Sequence, residues 1–137
     1  MKKLEKFRIM IQLALVDNKF EQTEKQFIKD LAKLNDISEQ ELNQLTNEEL
    51  AKKGDRLDFD IPSDFNLKIE ILADMIRVMK VDGKVYLSEI KFCEMVAKMF
   101  GFKEKSIGVL SKMIHGDPMD ATDWANIENK MKNLALA

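Results

Sequence analysis

Residues 63–81 read SDFNLKIEILADMIRVMKV, and this stretch decides the fold. Its apolar positions, Phe65, Leu67, Ile69, Ile71, Leu72, Met75, Ile76, Val78 and Met79, nearly encircle a helix instead of forming one stripe. That is the pattern of a helix surrounded by other elements. Ser63 stands where an N-cap is wanted, so the spacing predicts the longest helix over about 64–81. With Glu70, Asp74, Arg77 and Lys80 inside it, the stretch is too charged and too short to cross a bilayer and belongs in the core of a soluble domain.

On either side the helical pattern continues. Leu4, Phe7, Met10, Ile11, Leu13, Ala14 and Leu15 mark a first helix ending near Val16, and a second begins about Gln22 with Phe27, Ile28, Leu31 and Leu34 on one stripe. Ser38 with Glu41 and Thr46 with Glu49 both have capping-box spacing, which predicts two short helices before Gly54. The segment 54–63 reads as a linker pinned to the body by Leu57, Phe59 and Ile61. Beyond the central helix, further helices are expected over 87–100, 104–114 and 122–136, with Gly101 and Gly116 where a helix C-terminus favours a left-handed residue. The two prolines, Pro62 and Pro118, both fall in turn-like surroundings. The fold class is therefore all-α, a compact bundle of about seven to eight helices.

The central helix has a counterpart earlier in the chain. Shifting the sequence by 65 residues aligns 4–42 with 69–107 without a gap, and 11 of the 39 positions are identical, against about two or three expected by chance. The identities include Met10 with Met75, Ile11 with Ile76, Asp17 with Asp82, Glu24 with Glu89, Phe27 with Phe92 and Ala32 with Ala97. The reading is one domain over 1–137 made of two pseudo-symmetric repeats, about 4–53 and 64–115, with a C-terminal helix over 122–136. The two long helices then pack together at the centre.

Composition narrows the function classes. The chain is 45% apolar and 34% charged with a formal net charge of −2, ordinary for a soluble globular domain. Dividing it after Phe65 gives 11 basic against 14 acidic residues and then 11 against 10, so neither half has the basic surplus of a phosphate-backbone binder. One cysteine and one histidine exclude a zinc site, and five scattered glycines exclude a phosphate-cradling loop. Cys93, among Phe92, Val96 and Ala97, reads as core, and His115, before Gly116-Asp117-Pro118, reads as a helix C-cap. The methionine pairs Met75 with Met79 and Met95 with Met99 read as core fillers. Trp124 is expected to hold the last helix to the body.

The repeated feature with most chemical content is an acidic hinge. It reads Val16-Asp17-Asn18-Lys19-Phe20 with Glu24 in the first half, and Val81-Asp82-Gly83-Lys84-Val85 with Glu89 in the second. Placing Asp82 and Gly83 at positions 5 and 6 of a calcium loop puts Glu89 at position 12, but positions 1 and 3 become Val78 and Lys80, or Leu13 and Leu15 in the first half. Half the ligands are missing, which excludes a standard calcium hand. Two readings stay open: each glutamate caps backbone N–H groups from the third position of the next helix, or Asp17, Glu24, Asp82 and Glu89 meet around a hard divalent cation, calcium, magnesium or manganese.

The hinge Asp82-Gly83-x-Val85-x-x-x-Glu89, its preceding helix and the stripe from Phe92 to Ala97 resemble the tellurite-resistance TerB-like family over about 4–114. The first half carries a looser copy, with Asn18 in place of glycine. The resemblance implies a compact helical fold, a bacterial cytoplasmic setting, and a stress-related role or one as an interaction module. It also maps suggested metal-binding positions onto Asp17, Glu24, Asp82 and Glu89. The expected function is a non-enzymatic helical interaction module with a protein partner, a second copy of the chain included, and without nucleic acid or membrane insertion. The alternative is a divalent-cation binder or sensor.

Overall fold

A computed structural model describes residues 2–15, 22–51, 61–80, 87–114 and 120–136. Seven helices follow in order: α1 (Lys2–Leu15), α2 (Gln22–Leu34), α3 (Glu39–Ala51), α4 (Phe65–Lys80), α5 (Leu87–Met99), α6 (Ser106–Met113) and α7 (Ala121–Asn133). No strand is present among the described residues, only a single antiparallel bridge between Phe102 and Ala135. The all-α bundle read from the sequence is the observed class.

α4 is the central helix. Its buried residues, Ile69, Ile71, Leu72, Ala73, Asp74, Met75, Ile76, Val78 and Met79, face several directions, and it packs on α1, α2, α5, α6 and α7. α1 lies along it, burying Phe7, Ile9, Met10, Ile11, Leu13 and Ala14 completely. α2 and α5 flank this pair, each touching both α1 and α4. α7 packs on α6 and α4 through Ile127 and Met131. Among the described residues nothing equivalent covers α3, whose outward positions Gln40, Asn43, Gln44 and Asn47 are polar.

The ends of α2 and α5 close in the same way. After α2, Ile37 N–H donates to Ala32 O (2.9 Å) and Asp36 N–H to Lys33 O (3.2 Å); after α5, Phe102 N–H donates to Ala97 O (2.9 Å) and Gly101 N–H to Lys98 O (3.0 Å). This pattern needs a left-handed residue. Gly101 supplies it at φ +93°, as its position predicts, and Asp36 at φ +60°. A side chain with a Cβ is disfavoured in that conformation. Asp36→Gly is therefore expected to raise stability by about 0.5–1 kcal/mol, readable as an increased urea midpoint at unchanged m-value.

Several local expectations are corrected. The two short helices before Gly54 are one helix, α3. Its N-terminal capping box is real, with Glu41 N–H donating to Ser38 Oγ and Ser38 N–H to the Glu41 carboxylate, both at 3.1 Å. Thr46 lies in mid-helix and donates its hydroxyl proton to Leu42 O at 2.9 Å, so its capping-box spacing with Glu49 is fortuitous. Ser63 is not the cap of α4: the Asp64 carboxylate accepts from Asn66 N–H at 2.9 Å, and an acid one residue later does the same work at the positive helix end. Leu34 is 81% exposed, because it closes α2 on the flank of the stripe just before the chain turns away. Ile61 is 48% exposed, so it is not a buried anchor; Leu57 and Phe59 lie outside the described residues, as do His115, Gly116 and Pro118.

The last helix starts one residue before its predicted position, with Asp120 and Asp123 forming a reciprocal capping box. The chain then leaves α7 and returns to the corner between α5 and α6. Lys103 N–H donates to Leu134 O (2.8 Å) and Leu136 N–H to Gly101 O (2.7 Å). α6 has no side-chain cap of its own; the tail ties down the α5–α6 corner, whereas the α2–α3 corner is secured by the Ser38–Glu41 capping box.

Candidate functional site

Glu24 and Glu89 each occupy the third position of their helix, α2 and α5, and both are buried. Neither is without an interaction partner. Their positions match the helix-start role read from the hinge. Asp17 and Asp82, the other two candidate ligands, lie outside the described residues, as do Asn18, Gly83 and Lys84. Among the described residues no group of three or more His, Cys, Asp or Glu side chains could hold a metal ion.

Cys93 is fully buried in the core. Burial, followed by the nearby negative charges of Glu89 and Glu94, pushes its thiol well above the ordinary cysteine range. A neutral, enclosed thiol is a poor nucleophile. Labelling by a bulky aromatic disulfide at pH 8 is therefore expected to proceed only as fast as the native state opens, and to become immediate in denaturant.

Two polar clusters inside the bundle were not visible as sites in the sequence. In the first, Lys6 Nζ of α1 lies 2.7 Å from Asp74 Oδ2 of α4, with both side chains buried, and 3.5 Å from the half-exposed Glu70 carboxylate. Asp74 Oδ1 accepts from Arg77 Nη1 at 2.9 Å, and the Arg77 guanidinium lies 5.9 Å from the centre of the Trp124 ring. Trp124 thus joins α7 to α4 partly through a cation-π contact. The signal available in the sequence was a mismatch. Under the 65-residue shift Lys6 aligns with Ile71 and Asp74 with Ile9, the two places where a charge stands opposite a core isoleucine.

The second cluster joins α1 to α3. The side chain of Glu49 is 1% exposed and accepts from Arg8 Nη1 at 3.1 Å and from Gln12 Nε2. Arg8 also lies 3.0 Å from Glu48, on the more exposed side. Burial alone would lower the Arg8 pKa, but hydrogen bonds and charge from Glu48 and Glu49 outweigh it and raise the value. The guanidinium is thus held charged at every working pH. Leu42, Leu45 and Glu49 follow helical spacing on the buried face of α3, and Arg8 and Gln12 lie one turn apart on α1. That spacing was the readable signal; the capping-box reading displaced it.

The outer face of α5 differs from all of this. Leu87 is 65% and Met95 40% exposed, and Lys91 between them and Lys98 one turn beyond are exposed too. At the same helical positions α2 carries Gln22, Gln26, Asp30 and Lys33, with Gln26 donating to Asp30 at 2.8 Å. Lys91 and Lys98 form no ion pair among the described residues. Met75 and Met79 fill the core as expected, with Met10 and Met131 buried beside them, whereas Met95 is exposed.

Among the described residues no helix is long and apolar enough to cross a membrane. Comparison with protein-family models, with curated proteins and with solved structures finds nothing that matches this chain.

Proposed function

We propose that the chain is a non-enzymatic helical interaction module of the TerB-like kind, working in a bacterial cytoplasm, and that α5 is its binding face. The observation that carries this reading is the contrast between α5 and α2: four outward positions along the helix hold Leu87, Lys91, Met95 and Lys98 on α5 and polar side chains on α2, where only the last residue, Leu34, is an exposed apolar side chain. Leu87 and Met95 fall two turns apart on one face, where a partner helix could cover both. The partner that suits them is an amphipathic helix with an apolar ridge and carboxylates beside it, since the two lysines that edge the surface form no ion pair among the described residues. Methionine adapts its shape to such a ridge.

A photo-crosslinking amino acid placed at position 95, and in a parallel protein at position 30, tests this in cells. Position 95 is expected to give discrete protein adducts that Leu87→Glu abolishes. Equal or absent adducts at the two positions would remove α5 as the binding face.

A second reading is favoured by the burial of Glu24 and Glu89 at matching places in α2 and α5. With Asp17 and Asp82 they would supply up to four carboxylates to calcium, magnesium or manganese. We place it second because the third position of a helix already gives each glutamate a structural task. The TerB-like assignment rests on the hinge motif, and the matched closures after α2 and α5 support the duplication it includes.

A further inference from the structure

We infer that the Lys6–Asp74 pair sets which helices pair at the centre of the bundle, making α1 accept α4 and reject a second copy of itself. This goes beyond the binding reading and rests on the seam between the two halves. Most of that seam cannot tell one half from the other. Met10 and Met75 are the same residue, as are Ile11 and Ile76, and Phe7 with Leu72 and Leu13 with Val78 are apolar pairs, all fully buried. A chain whose two central helices are so alike is open to pairing α1 with α1, and α4 with α4, of another molecule.

The two mismatched positions remove that ambiguity. In the α1–α4 pairing Lys6 meets Asp74 at 2.7 Å, and their aligned counterparts, Ile71 and Ile9, are both fully buried in the core. In an α1–α1 pairing of the same geometry Ile9 takes the place of Asp74. Lys6 then keeps only a glutamate at the longer, half-exposed distance, because Glu5 aligns with Glu70. In an α4–α4 pairing Asp74 faces Ile71 and keeps only Arg77 of its own helix. Each like pairing therefore buries charges that have lost their closest partner, and the unlike pairing buries none.

The test uses the full chain. Wild type and the Lys6→Met, Asp74→Leu double variant are refolded from denaturant over a range of concentrations, and their sizes are read by sedimentation velocity and native mass spectrometry with isotopically mixed chains. The double variant is expected to refold helical, with at least a several-fold larger population of chain-exchanged dimers and higher species than wild type. The same size distribution as wild type would overturn the proposal. A second experiment does not depend on the apolar variant folding: Lys6→Asp and Asp74→Lys single variants, each with like charges facing one another, are denatured and refolded together. Exchange of halves restores both attractions, so a 1:1 heterodimer is expected well above either homodimer. A mixture showing no excess of heterodimer would contradict the pairing role.

Discussion

Asp74→Leu alone is expected to lower stability by about 3–5 kcal/mol, because it leaves the Lys6 ammonium buried with its 2.7 Å partner gone. Adding Lys6→Met should recover most of that loss. A buried ion pair gains little net energy over a well-packed apolar pair of similar volume, since both charges must first be stripped of water. The recovery will not be complete, because Arg77 also loses an acceptor at 2.9 Å. Urea unfolding of wild type, both singles and the double closes a double-mutant cycle. Costs that simply add would show that the two charges do not act as a unit, and would undercut the pairing role as well. The same cycle separates two questions that a single variant confuses: what the pair contributes to stability, and what it contributes to choice of partner.

The next largest effect is expected at Glu49. Glu49→Ala removes the acceptor for both Arg8 and Gln12, and the Gln12 side chain is left in a buried place without its carboxylate. A loss of about 2–4 kcal/mol follows from charge-assisted hydrogen bonds broken inside the bundle. The neighbouring Glu48 also contacts Arg8, at 3.0 Å, but from a partly exposed position; Glu48→Ala should cost under about 1 kcal/mol. Thr46→Ala discriminates further. A helix cap would cost about 1 kcal/mol, whereas a mid-helix threonine bonded back to Leu42 should change stability by less than about 0.5 kcal/mol. Equal effects at residues 48 and 49, or a large one at 46, would contradict the described α1–α3 seam.

What could be read in the sequence was whatever periodicity records. The encircling apolar pattern of 65–79 placed α4 at the centre, and Gly101 marked a left-handed turn where one is found. Short motifs did less well because they are degenerate. Ser-x-x-Glu and Thr-x-x-Glu look alike, yet Ser38 begins a helix and Thr46 sits within one; only the buried stripe Leu42-Leu45-Glu49, continuing through the supposed second cap, distinguishes them. Asp64 displaced Ser63 as a cap for a similar reason, since neighbouring polar residues can both serve.

The internal polar clusters lay beyond motif reading altogether. Lys6 and Asp74 are 68 positions apart in sequence and acquire meaning only when α1 lies against α4. The α5 surface was missed because Met95 and Met99 were read as core on spacing alone. Which side of an amphipathic helix faces the body depends on its neighbours, and α5 turns Phe92, Cys93, Val96 and Ala97 inward, leaving Met95 outside. Of the hinge, the helix-third placement of Glu24 and Glu89 is as the sequence implied.

The reading of the chain as a binding module and not an ion sensor is tested most directly by calorimetric titration of chelator-stripped protein with calcium, magnesium and manganese. A variant carrying Asp82→Asn and Glu89→Gln is titrated alongside it. No saturable heat is expected in either protein up to millimolar ion, with Glu24 and Glu89 serving their helix starts. Saturable binding in the wild type that the variant loses would contradict the binding-module reading and make the duplicated hinge the working site.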